Sequence, residues 1–138
     1  MVYALEETRR VLREGGSIID LRPASKHRSV ELEIAGARLH IGEIDSSATF
    51  ADRWAAEAAL DILMKKGQIA LMHEAEFPVI TDLDSVEDLR AHAAAMRRNV
   101  MAEELPERIE ALIAGEAQDI LIHARREMVI RRYRCLKP

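Results

Sequence analysis

Asp20 and Arg22 stand one residue apart, and His27 follows five residues later. A carboxylate, a guanidinium and an imidazole in so short a span can hold a small polar ligand. They follow an apolar run that would set them at the carboxyl end of a strand, where open α/β sheets bind their ligands. The alternative is that Asp20 and Arg22 pair with each other, a surface ion pair of little energetic weight. Asp20, Arg22 and His27 are thus the candidate ligand-binding residues. Neither a nucleophile nor an oriented base accompanies His27, so acyl-transfer chemistry is not indicated and no catalytic residue is assigned.

The remaining histidines, His40, His73, His92 and His123, show no HxH, HxxxH or HExxH spacing. His73, Glu74 and Glu76 are close in sequence. On a strand, however, only Glu74 and Glu76 share a face, so a solvated face is expected and no metal site. His123 alternates with Ile120 and Ile122 and reads as a tethered strand residue. Arg125, Arg126, Arg131, Arg132, Arg134 and Lys137 make the C-terminal stretch basic, with Tyr133 its one interleaved aromatic. Single-strand binders stack several bases on aromatics, so nucleic acid is not the expected partner. Pairing with acidic neighbours such as Glu74, Glu76 or Asp82 across a sheet is expected instead. Cys135 has cationic neighbours but no resolving thiol or base, which leaves a plain thiol.

Residues 4–14 carry apolar side chains at helical spacing and end at Gly15-Gly16, a permissive helix stop. Ser17 to Leu21 is a short apolar run closed by Arg22-Pro23, which suits a buried strand. Ser29 to Ile34 and Arg38 to Gly42 alternate with period two about Ala35-Gly36-Ala37, a hairpin with one wet face. Ser46-Ser47 can cap an amphipathic helix holding Phe50, Trp54, Leu60 and Leu63 that closes at Lys65-Lys66-Gly67. The stripe of Phe50 and Trp54 suits either a core or a partner. Gln68 to Asp82 reads as a long strand with a bulge, bend or edge position at Pro78. Ser85 heads a helix running to Met96, and Pro106 lies in the first turn of another that stops at Gly115. Asp119 to Arg134 reads most simply as one long terminal strand, a helical start before Arg126 being the alternative.

The 138 residues carry a formal charge of −4, with 49% hydrophobic and 32% charged residues. That balance excludes disordered and collagen-like chains, and no apolar run approaches the ~20 residues needed to cross a bilayer. No membrane partner is expected. A chain of this length fits one domain, residues 1–138, with enough bulk for a core. Met1-Val2-Tyr3 lacks the charged and apolar regions of a signal peptide, so the cytoplasm is the expected compartment.

The segment from Arg10-Val11-Leu12 through Gly15-Gly16 to Ile18-Ile19-Asp20-Leu21-Arg22-Pro23 resembles the helix, turn and fifth strand of class I S-adenosylmethionine-dependent methyltransferases. Phe77-Pro78-Val79-Ile80-Thr81-Asp82 with the helix after it resembles the sixth strand of that family. Glu127 to Tyr133 resembles the seventh, antiparallel one. The resemblance covers the family's C-terminal half. The family's cofactor sits on a glycine-rich turn after the first strand and against an acidic residue ending the second. This sequence has neither, because Gly15-Gly16 follows a helix and precedes a strand, the reverse of a cofactor loop.

These observations give an α+β fold with a mixed, largely antiparallel sheet flanked by helices, like the C-terminal half of a Rossmann-like methyltransferase. They imply no cofactor and no autonomous methyl transfer. An edge strand of Ile18, Ile19 and Leu21 would need covering. The expected role is therefore a non-catalytic module that forms a homo-oligomer or binds a methyltransferase-like partner chain. The alternative is the substrate side of a methyltransferase completed by a second chain, and a small-ligand binder using Asp20, Arg22 and the basic strand is a third reading.

Overall fold

The computed structural model describes residues 2–115 and 119–136, which leaves Lys137 of the basic stretch outside the described residues. The elements run α1 (Val2–Val11), β1 (Ser17–Pro23), β2 (Arg28–Ile34), β3 (Ala37–Ile44), a 3₁₀ turn (Ser47–Thr49), α2 (Phe50–Lys65), β4 (Ile69–Leu83), α3 (Val86–Ala95), α4 (Glu104–Ile113) and β5 (Ile120–Cys135). The fold is α+β, as expected. Its strands follow the order β1-β5-β2-β3, with β4 also paired to β5. The registers of β1 with β5, β2 with β3 and β2 with β5 are antiparallel. No described helix is long and apolar enough to cross a membrane.

The chain divides into two compact units. One holds Met1–Ala24, Phe50–Phe77 and Met128–Pro138; the other holds Ser25–Thr49 and Pro78–Glu127. Both long strands contribute to each unit, and the division of β4 falls at Pro78. Among the described residues β4 has β5 as its strand neighbour, which gives the proline the edge position its missing N–H requires.

In the second unit β2 and β3 form the expected hairpin. Its two-residue turn puts Ala35 at φ 50° and Gly36 at φ 80°, the left-handed conformations that match strand twist. Val30 and Leu32 of β2 are fully buried against Ile41 and Ile44 of β3, Leu89 of α3, Ile109 of α4 and Ile122 of β5. β3 carries glycine at position 42 because α4 comes close: a Cβ there would lie 2.9 Å from Leu105 Cδ1. Ser85 caps α3 as its sequence suggests. Its Oγ accepts from the Asp88 N–H at 3.0 Å, satisfying one of the helix's open donors.

The first unit has a smaller core. Leu60 and Leu63 of α2 pack with Ile18, Ile69 and Tyr133, and Leu5 and Leu12 of the N-terminal segment close over them. α1 ends at Val11, short of the glycine pair expected to stop it, and Gly15 takes φ 74° in the turn that follows. The Gly15 N–H donates to the Cys135 carbonyl at 3.2 Å, and the Cys135 N–H donates to the Gly16 carbonyl at 2.8 Å. Cys135 is buried there as a plain thiol. Trp54 of α2 is exposed, so it does not join the core.

β1 differs from its sequence reading. The run Ser17 to Leu21 suggests a buried strand, yet only one face is covered. Ile18 is buried, whereas Ile19 and Leu21 are 57% and 55% exposed. The strand continues through Arg22 and Pro23.

Candidate functional site

The register of β1 with β5 decides where the charged candidates go. Ile18 lies opposite Tyr133, Asp20 opposite Arg131 and Arg22 opposite Val129, and these share the covered face. Ile19, Leu21 and Pro23 lie opposite Arg132, Ile130 and Met128 on the other face. Asp20 and Arg22 are therefore drawn under α2 rather than into solvent.

There they join a charge network. Arg22 Nη2 sits 3.2 Å from Asp20 Oδ2 and 3.3 Å from Glu57 Oε1, while its Nη1 donates to the Arg53 carbonyl at 3.1 Å. Asp20 Oδ2 and Arg22 Nη2 do not meet at hydrogen-bonding angles, so their attraction is Coulombic. Glu57 bridges onward to Arg131 Nη1 at 3.3 Å, and Arg131 Nε donates to Glu74. Burial alone would lower the Arg131 pKa, but Glu74 and Glu57 outweigh it and hold the guanidinium charged. Burial pushes the Tyr133 phenol up, partly opposed by Arg131. The expected pairing of the basic strand with an acidic neighbour is realised at Arg131 and Glu74.

Beside this network is a cleft of about 210 Å³, lined by Glu57, Asp61, Leu71, Glu74, Arg131 and Tyr133 among others. Its arginine is engaged by carboxylates. The ion pairs of the network tie β1, α2, β4 and β5 together.

His27 belongs to the second unit, whereas Asp20 and Arg22 belong to the first. Its Nδ1 accepts from the Ser46 N–H at 3.1 Å and lies 3.3 Å from Asp45 Oδ1. Asp45 Oδ1 also accepts from the Ser47 N–H at 2.8 Å. The Ser47 amide and side chain, with His27 nearby, hold this carboxyl below its usual range. Two backbone bonds between Asp45 and Val100, each 2.8 Å, fix the loop. Glu43 and Ser47 complete a cleft of about 330 Å³ around His27 and Asp45. Among the described residues no group of His, Cys, Asp and Glu is arranged to hold a metal ion.

The structure also assembles a cluster that sequence order hides. His123, 3% exposed, meets Asp82 Oδ1 through Nδ1 at 2.6 Å and Glu33 Oε2 through Nε2 at 2.8 Å. Glu33 in turn accepts from Arg38 Nε at 2.9 Å, and the His123 and Arg38 bonds hold its carboxyl below the usual range. The two carboxylates approach opposite nitrogens of one ring, so they cannot converge with it on a metal. With both nitrogens occupied, His123 is tethered, as its place in an apolar strand suggests.

No protein-family model, curated protein or solved structure matches the chain. The functional reading rests on the geometry.

Proposed function

We propose that the chain is a non-catalytic binding module whose β1 outer edge takes the strand of another polypeptide, a second copy or a methyltransferase-like partner. One observation carries this reading. Among the described residues β1 pairs only with β5, and the strand so left with an open edge displays Ile19 and Leu21 to solvent while its charges lie on the covered face. Unpaired N–H and C=O groups beside exposed apolar side chains form a template for strand addition.

Two measurements test the reading. Calorimetry with S-adenosylmethionine should show no binding by the chain alone, and clear binding would overturn the non-catalytic part. Sedimentation should show the chain assembling, either with itself or with a chain from a neighbouring reading frame that carries a glycine-rich cofactor loop. Leu21→Lys, which sets a charge on the edge, should abolish that assembly. A wild-type chain that stays monomeric in both settings overturns the docking part.

A second reading, the substrate side of a methyltransferase completed by that partner chain, has one observation in its favour: β5 runs antiparallel to β1, as the resemblance implies for the last strand. It requires S-adenosylmethionine to bind the two chains together and neither alone.

A further inference from the structure

We infer that the occupant of the β1 edge is β1 of a second copy, paired antiparallel about a two-fold axis at Leu21. This rests on the reading of that edge as a docking strand and adds the partner and the register. In an antiparallel pair across a two-fold axis one residue faces its own copy, and the contact is closed and isologous.

Three centres keep five or more residues of Ser17–Pro23 opposite one another, at Ile19, Asp20 and Leu21. Charge separates them. A centre at Asp20 sets two carboxylates face to face, and like charges directly opposite are destabilising. A centre at Ile19 sets each Asp20 against Ile18, with no opposite charge. A centre at Leu21 sets Asp20 of each chain against Arg22 of the other, Leu21 against Leu21, and Ile19 against Pro23. The open face then carries a row of Ile19, Leu21 and Pro23 from both chains, backed on β5 by Arg132 opposite Ile19, Ile130 opposite Leu21 and Met128 opposite Pro23.

The proline agrees with this register. Within a paired strand its nitrogen is tolerated when it faces the unpaired edge. Pro23 so placed turns the backbone groups of Leu21 and Ile19 outward too, since these alternate with period two. The two Leu21 residues can then exchange both N–H···O bonds, and each Ile19 N–H can donate to the Pro23 carbonyl opposite. No proline N–H is called on. A ladder this short buries less than the ~1,200 Å² of a standard stable interface, so the dimer should dissociate at micromolar concentration or above.

Disulfide trapping in the full chain tests the register. Opposed residues of an antiparallel pair have Cα atoms about 4.5–5.5 Å apart, within the range a disulfide spans. The native Cys135 is buried, and wild type under the same oxidation serves as the blank. Leu21→Cys should give a covalent dimer, and Ile19→Cys mixed with Pro23→Cys should give a mixed one. Ile19→Cys alone, equally exposed, sets the level of collisional linking. Strong linking of Ile19→Cys but not Leu21→Cys would overturn the register and leave the docking reading intact. No specific linking, together with monomeric wild type across about 1 µM to 1 mM, would overturn self-pairing. Assembly with a different chain would then still separate that failure from failure of the docking reading.

Discussion

β1 and β2 are both seven-residue strands that pair with β5, yet they divide their residues in opposite ways. β2 buries Val30 and Leu32 completely and leaves Glu31 and Glu33 partly exposed, the usual arrangement of a sheet with one wet face. β1 covers Asp20 and Arg22, whose side chains are 19% and 11% exposed, and turns Ile19 and Leu21 outward. Alternation alone therefore does not say which set of residues faces the protein. The neighbours decide: β2 meets an apolar layer from α3 and α4, whereas β1 meets Glu57 on α2 and Arg131 on β5, which welcome charge.

The same substitution on both strands should have very different effects. Leu32→Ala removes a fully buried side chain and should cost about 3 kcal/mol in urea unfolding, through lost transfer energy and a residual cavity. Leu21→Ala should cost less than about 0.5 kcal/mol when measured at concentrations too dilute for copies to associate. Equal losses would mean that Leu21 is buried in solution and that the two strands do not differ.

Arg22→Met sharpens the comparison on the polar side. The methionine retains part of the apolar stem but abandons Asp20, Glu57 and the Arg53 carbonyl. Leaving the covered Asp20 carboxylate without this cation should cost about 1–2 kcal/mol, discounted from a deeply buried pair because Glu57 is 40% exposed and keeps Arg131. Glu31→Ala, the corresponding loss of a charge from β2, should stay within about 0.5 kcal/mol. Similar urea midpoints for the two variants would show that the β1 network adds nothing to stability.

How much of this was readable from the sequence follows from sequence distance. The hairpin, the Ser85 cap, the Pro106 start and the long terminal strand are local: turn residues, caps and period declare them within ten or so residues. The clusters are not local. Asp82 and Glu33 lie 41 and 90 residues from His123, and Glu57 lies 74 residues from Arg131. Pairing between strands distant in sequence and the packing of α2 on the sheet bring them together. For the same reason Asp20 and Arg22 were identifiable as a pair, but their enclosure beneath α2 was not. In an apolar run such as Ile18-Ile19, both faces look equally suited to burial. Exposure of one face depends on helices whose placement the run does not encode.

The smallest expected difference lies in acid. Glu33, on the wet face of β2, has its carboxyl held below its ordinary value of 4.5, first by the His123 hydrogen bond and then by Arg38. A lowered folded-state pKa favours the folded state once the carboxyl is ionised. The stabilisation is fully present above the unfolded value and disappears as pH falls through the folded one. Glu33→Gln removes the titrating group while keeping an oxygen that can accept from His123 Nε2. On acidification below 4.5 the variant should therefore lose less stability than wild type, read as a shallower fall in the urea midpoint with pH. Exposure and salt keep the difference small. Identical acid limbs would assign the tethering of His123 to Asp82 alone, and the outer face of β2 would then differ from the covered face of β1 in having no coupled charge.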